Sequence, residues 1–152
     1  SNLCMQELNF PPYPIRLKNS ENKPLIWDLI RKKYVVLTPE EWVRQHVLHY
    51  LTQALNYPMR HIQVERSFQL FGTSKRFDVA VYGLDGTIKI LVECKAPSVP
   101  INQDTFDQIA RYQLALQSSF LMVTNGLNHY FCVLNQVDGG YQFLPELPVY
   151  AL

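Results

Sequence analysis

Residues 76–97 read RFDVAVYGLDGTIKILVECKAP. Two apolar runs flank the turn-rich centre GLDGT, and Pro97 stops the second run. That pattern is a β-hairpin. Each run carries charge where a buried strand would carry valine: Asp78 near the start of the first, Glu93 and Lys95 near the end of the second. Side chains alternate faces along a strand, so Glu93 and Lys95 share a face and Cys94 points the other way. A hairpin centred near Asp85 or Gly86 sets Asp78 beside Glu93. Two carboxylates and a lysine therefore converge at one end of the hairpin. A buried carboxylate pair is costly unless a cation neutralises it. Lys95 offers one charge and a divalent metal two, and Mg²⁺ characteristically takes one or two carboxylates while keeping its other positions for water or phosphate. A simple Asp–Lys–Glu salt-bridge cluster at a sheet edge accounts for the same spacing equally well.

Outward from the hairpin, HIQVERSFQLF (61–71) reads as a strand leading into a turn at GTSK (72–75), which makes the whole an antiparallel meander. Before it, TPEEWVRQHVLHYLTQAL (38–55) is a helix: Thr38 is an N-cap, Pro39 suits the first turn and Glu41 completes a capping box. Val43, Val47, Leu51 and Ala54 fall on one face, with Leu48 and Leu55 beside it. Glu40, three residues before Val43, points along that face, and Arg44 lies one turn further on. After the hairpin, DTFDQIARYQLALQ (104–117) is a second helix with Phe106, Ile109, Ala110 and Leu114 on its buried side. SFLMVTNG and HYFCVLN are two more strands, followed by a turn at DGG and a proline-rich tail. The spacing predicts one α+β domain over 34–152 in the order α-β-β-β-α-β-β.

Residues 1–33 carry Pro11, Pro12, Pro14 and Pro24 without a clear period and read as an extended N-terminal arm, with KKYVVLT a short strand at its end. Between Arg16 and Lys33 basic residues outnumber the acids Glu21 and Asp28. A solvated basic surface is the ordinary reading, and a phosphate-facing arm the alternative.

The chain has 152 residues, 47% hydrophobic and 18% charged, which suits one domain with a real core. A net charge of +1 gives no global field that would select a polyanion or a membrane. Cys4, Cys94 and Cys132 are odd in number and lack a C-x-x-C pair, so neither a disulfide framework nor a zinc ribbon is indicated. No apolar run reaches transmembrane length and no signal-peptide pattern opens the chain, so a cytoplasmic location is expected.

RFDVAVY followed by ILVECKA resembles the D…E-x-K signature of the PD-(D/E)XK nuclease superfamily. Asp78 matches its aspartate, Glu93 its second acid and Lys95 its lysine, while Phe77 replaces the usual preceding proline. DQIARYQLAL supplies Gln108 and Tyr112, which match the Q-x-x-x-Y motif of RecB-like nucleases and of type I restriction enzyme R subunits. With LTPEEWVRQ, VECKAPSVP and VTNG, the resemblance to the N-terminal nuclease domain of those R subunits covers about residues 34–134. It implies an α/β/α restriction-endonuclease-like fold with a central mixed β-sheet flanked by helices. It implies a Mg²⁺-dependent deoxyribonuclease, with Mn²⁺ as a substitute metal. Metal would be held by Asp78, Glu93, the Cys94 backbone carbonyl and an acid of the first helix, Glu40 in preference to Glu41. Lys95 would activate water. Gln108 and Tyr112 would position a DNA strand. Lys75 and Arg76, outside those motifs, read as contacts to a DNA backbone or as solvated surface charges.

Other motifs carry less. His46 and His49 share a helix face without a third zinc ligand. GTSK lacks the upstream glycine and strand-to-helix context of a phosphate loop. Asn125 reads as a turn residue. The implied partner is DNA, with no membrane; homo-oligomerisation and a motor or specificity subunit on another chain stay open, since the sequence contains no Walker A motif. The competing reading is a catalytically silent nucleic-acid-binding or regulatory module that retains the nuclease fold.

Overall fold

The computed structural model describes residues 5–135 and 137–151. Cys4, with the rest of 1–4, lies outside the described residues. A small antiparallel sheet comes first: β1 (Leu17–Ser20), β2 (Lys23–Asp28) and β3 (Lys33–Val36). Helix α1 (Pro39–His49) follows. The large sheet holds its six strands in chain order, β4 (Ile62–Leu70), β5 (Thr73–Tyr82), β6 (Ile88–Cys94), β7 (Phe120–Thr124), β8 (His129–Leu134) and β9 (Tyr141–Leu144). Helix α2 (Gln103–Leu116) is the crossover between β6 and β7, the parallel pair that makes this sheet mixed.

Alternation along the central strands divides the core in two. Val79, Val81, Ile90 and Val92 pack with Val43, Val47 and Leu51 of the first helix. Ala80, Leu91, Leu121 and Val123 pack with Phe106, Ile109 and Ala110 of the second. The sheet is thus covered on both faces, which is why β6 reads as continuous apolar sequence. The expected α/β/α arrangement with a mixed central sheet is present. Phe77, at the position of the missing proline, is fully buried in the second cluster.

Five local expectations are corrected. First, the stretch read as an extended arm becomes a three-stranded sheet from Leu17 onward; Glu21 and Asn22 take positive φ in a two-residue turn that pairs Ser20 with Lys23. Its acid Asp28 is buried, accepting from the N–H groups of Ile30 and Arg31 and from Arg31 Nε. The segment before it also lies over the domain. Leu8 packs so closely on Gly126 that a Cβ there would meet it at 2.8 Å, and Gly126 also holds φ +86°.

Second, α1 widens into a π-helical turn over Tyr50–Ala54, closed by Leu55 N–H to Tyr50 O at 3.2 Å. The extra residue in that turn shifts the helical phase, so Leu55 is buried and Ala54 is exposed. Third, Leu114 lies on the rim of α2, and Gln113 is the fully buried residue, its side chain reaching Ser118 O and facing Cys132 Sγ. Fourth, the β4–β5 turn is Phe71-Gly72, not GTSK, with Leu70 opposite Thr73. Fifth, the tail beyond DGG adds a strand, β9, to the sheet edge.

Candidate active site

Strands β5 and β6 pair from Tyr82 opposite Ile88 to Val79 opposite Val92, with one register shift between Val81 and Tyr82. One position further, Asp78 and Glu93 face each other where the regular ladder ends. Asp78 Oδ2 accepts the backbone N–H of Cys94 at 2.7 Å. Its side chain is 17% exposed. Glu93 is 8% exposed, and its Oε1 is buried without a hydrogen-bond partner. Cys94 turns the other way into the α1-side core, where burial pushes its thiol well up. Lys95 follows the strand end, tied by its N–H to Thr124 O at 2.8 Å. The loop beyond it is strapped by Asn125, whose Nδ2 donates to Val99 O at 2.9 Å and whose Oδ1 accepts from the N–H groups of Leu127 and Asn128.

Both carboxyls are raised, first by burial. Glu93 is pushed up to about 8, with the neighbouring Asp78 charge adding to the effect and Lys95 and Lys75 opposing it. Asp78 is pushed up to about 6; the Cys94 N–H opposes the rise, and Glu40 adds to it. Among the described residues, the ion pair made by these two acids is Arg44 Nη1 to Asp78 Oδ1 at 3.8 Å. The Asp–Lys–Glu salt bridge that the spacing equally allowed is therefore not the arrangement found among the described residues. Lys95 acts on the pair from a longer distance.

Helix α1 separates its two acids. The Thr38 hydroxyl accepts the Glu41 N–H at 3.0 Å, making the first half of the expected capping box. The Glu41 carboxylate does not complete it. It is buried and takes Arg44 and Gln45, with Arg31 at 3.6 Å. Glu40 is exposed, yet its charge is felt at Asp78, Glu93 and Cys94. The Glu40 side chain lies in solvent rather than on the expected apolar face.

Glu65 was not singled out by sequence. It lies between the pairs Val64–Val79 and Arg66–Phe77, so it stands in the row of Asp78 and Glu93. Its φ is +52°, unusual inside a strand. Its carboxylate gathers Arg44 at 3.1 Å, Arg31 at 3.2 Å and Arg76 at 3.8 Å. A turn at 72–75 would have set Gln69 opposite Asp78; the true turn at Phe71-Gly72 puts Glu65 there. A cleft of about 660 Å³ borders this network, lined in part by Arg31, Glu40, Arg44, Glu65 and Ala96.

On the α2 side, Lys75 Nζ lies over the Tyr112 ring, 4.9 Å from its centroid. Gln108 and Tyr112 border one recess together, while Arg76 is largely exposed beside Glu65. His46 and His49 are covered by Phe10 and Tyr13, and burial lowers both.

Among the described residues, no three His, Cys, Asp or Glu side chains gather closely enough to form a metal cage by themselves. A Mg²⁺ site does not need one, since it is met by one or two carboxylates plus water and substrate oxygens. Two adjacent buried carboxyls, both raised, and the partnerless Glu93 Oε1 are an unmet demand for positive charge. Those donors fit a hard divalent cation.

A family model for the type I restriction enzyme R protein N terminus (HSDR_N) matches residues 39–148. A search of curated proteins returns no match. Among solved structures, a fragment assigned to an HsdR subunit of a type I restriction enzyme from Vibrio vulnificus YJ016 superposes with a TM-score of 0.53 at 22% identity, over 74% of this chain. This chain spans 24% of that one. At that identity the likeness speaks for the fold.

Proposed function

The chain belongs to the type I restriction enzyme R protein N-terminal family, and on that premise we propose that it is a Mg²⁺-dependent DNA phosphodiesterase of the PD-(D/E)XK type. The observation that carries this reading is the pairing of Asp78 with Glu93 at the end of β5 and β6, with Glu93 Oε1 buried and unpartnered. Asp78, Glu93 and the Cys94 carbonyl would hold the metal, with Glu40 at the rim. Bound there, Mg²⁺ supplies Lewis acidity and lowers the pKa of its water. Lys95, at the end of the same strand as Glu93, would orient the attacking water and offset developing negative charge. Arg44, anchored by Glu41 and Glu65, keeps a second cation within 3.8 Å of Asp78. Gln108, Tyr112, Lys75 and Arg76 offer hydrogen bonds and charge to a strand approaching from the α2 side. DNA is the substrate in this reading, and a motor or specificity subunit on another chain is the partner.

The test is incubation with supercoiled, linear duplex and single-stranded DNA in Mg²⁺, Mn²⁺ or EDTA. Cleavage that needs metal and is lost in Asp78→Asn supports the proposal. The second reading is a silent nucleic-acid-binding or regulatory module that retains the nuclease fold. Metal-independent DNA binding without cleavage of any form would select it.

A further inference from the structure

The β4–β5 hairpin turns through two residues, with φ +53° at Phe71 and +77° at Gly72. Positive φ at both centres is the type I′ pattern, for which Asn-Gly is the favoured sequence; a bulky side chain is strained there. This chain places a phenylalanine at the first centre and leaves it 75% exposed. Strain and an exposed ring at one position do nothing for the stability of the turn, and such outliers collect where a surface works on a ligand.

The ring borders a recess of about 360 Å³ whose other walls are Gln108, Arg111 and Tyr112. Phe71 and Tyr112 lie 6.5 Å apart between centroids, tilted by 44°. Tyr112 carries the Lys75 ammonium on its face, and Arg111 is exposed on the same wall. Two rings and the Arg111 guanidinium therefore border one opening, with the Lys75 ammonium on the face of one of the rings. Closed duplex DNA offers a protein its phosphates and base edges. The flat face of a base becomes available when the strand is unpaired or the base is turned out. Exposed rings flanked by cations suit that face together with its phosphate.

We infer that Phe71, with Tyr112 and Arg111, forms a nucleotide subsite that stacks a base of an unpaired DNA strand, so that the domain selects single-stranded or locally opened DNA over closed duplex. The choice of DNA as the polymer rests on the nuclease reading above. Phe71 is a positioning residue here and takes no part in bond cleavage.

Phe71→Asn tests this, because asparagine suits the turn while removing the ring. Binding is measured with Ca²⁺ in place of Mg²⁺, so that it is read apart from turnover. The probes are a single strand containing 2-aminopurine and a duplex of the same sequence with both ends closed. The expected result is tighter binding of the single strand by wild type, with quenching of the 2-aminopurine. Phe71→Asn should weaken single-strand binding roughly tenfold or more, the loss expected for one base–aromatic stack. It should also abolish the quench and leave duplex binding and melting temperature no lower than wild type. Phe71→Trp should restore both signals. The inference is overturned if wild type prefers the closed duplex, if Phe71→Asn binds the single strand as wild type does, or if both DNA forms weaken equally. A stacking protein that cleaves no DNA would sink the nuclease reading and leave the subsite standing. Cleavage by wild type with an indifferent Phe71→Asn would sink the subsite alone.

Discussion

The backbone N–H of Cys94 donates to Asp78 Oδ2 at 2.7 Å, crossing from β6 to β5 just beyond their last regular pair. This bond satisfies one oxygen of Asp78 without adding a cation. Glu93 gains nothing comparable, since its buried Oε1 has no partner. The two acids are therefore held side by side by the backbone, while their combined charge is opposed by Arg44 at 3.8 Å and by the more distant Lys95.

Without metal, the pair should make stability fall as pH rises. Asp78 and Glu93 titrate near 6 and 8 in the folded chain, against about 3.9 and 4.3 unfolded. The folded state then binds more protons between those limits, so the stabilisation is complete below about pH 4 and lost as pH rises through 6 to 8. His46, His49 and His129, lowered by burial, act in the opposite direction. The useful readout is thus the difference in melting temperature between Glu93→Gln and wild type from pH 5 to 9. It should grow in favour of Glu93→Gln with rising pH; a flat difference would refute the coupling.

Metal binding at pH 7 should displace the proton held by the pair. Calorimetry in two buffers of different ionisation enthalpy should show net proton release on adding Mg²⁺ or Mn²⁺, with affinity rising between pH 6 and 8. Asp78→Ala should abolish the response. Heats that are identical in both buffers would count against a carboxylate-held metal.

Lys95 and the carboxylates should separate in function. Lys95→Ala removes a cation from an acidic site, so metal affinity should hold or tighten. Cleavage should drop by about 10²- to 10⁴-fold, the usual range for losing a proton-handling or water-positioning group. A variant with normal cleavage but a lower melting temperature would mark Lys95 as purely structural.

Arg44 should matter first for stability. Its guanidinium and the Glu41 carboxylate are both nearly sealed from solvent, and Glu65 completes the set. Arg44→Ala leaves Glu41 buried without its main partner and should cost about 3 kcal/mol in urea unfolding. Adding Glu41→Ala to Arg44→Ala should recover part of the loss. Additive losses from the two single changes would mean that the pair is not coupled.

The two helix acids should part company. Glu41→Gln should lower the melting temperature by breaking the Arg44 and Arg31 contacts. Glu40→Gln, at an exposed position, should leave stability unchanged and weaken metal binding. The reverse pattern would transfer the metal role to Glu41.

Much of this site was legible in the chain because its central feature is local. A short turn between two strands sets their register by its length alone, so Asp78, Glu93 and Lys95 could be brought to one end of a hairpin from spacing. The same logic failed one hairpin earlier. Reading the turn at GTSK rather than Phe71-Gly72 displaced the register, hiding both Glu65 beside Asp78 and the strained, exposed Phe71. Asn-Gly at that turn would have been recognised at once; Phe-Gly gives a weaker signal, since phenylalanine rarely takes positive φ.

The sequence by itself determined the order of the central elements from α1 to β8, most of the two apolar helix faces and the meeting of two acids with a lysine, because periodicity and short turns are local properties of the chain. Tertiary structure alone decided where Arg31 lies, since its partners Glu41 and Glu65 are set by the packing of the small sheet against α1 and β4. It likewise decided that Glu41 goes to Arg44 while Glu40 remains to act on the cluster. Burial raised the two carboxyls, and no window of sequence states how much water the folded chain will exclude.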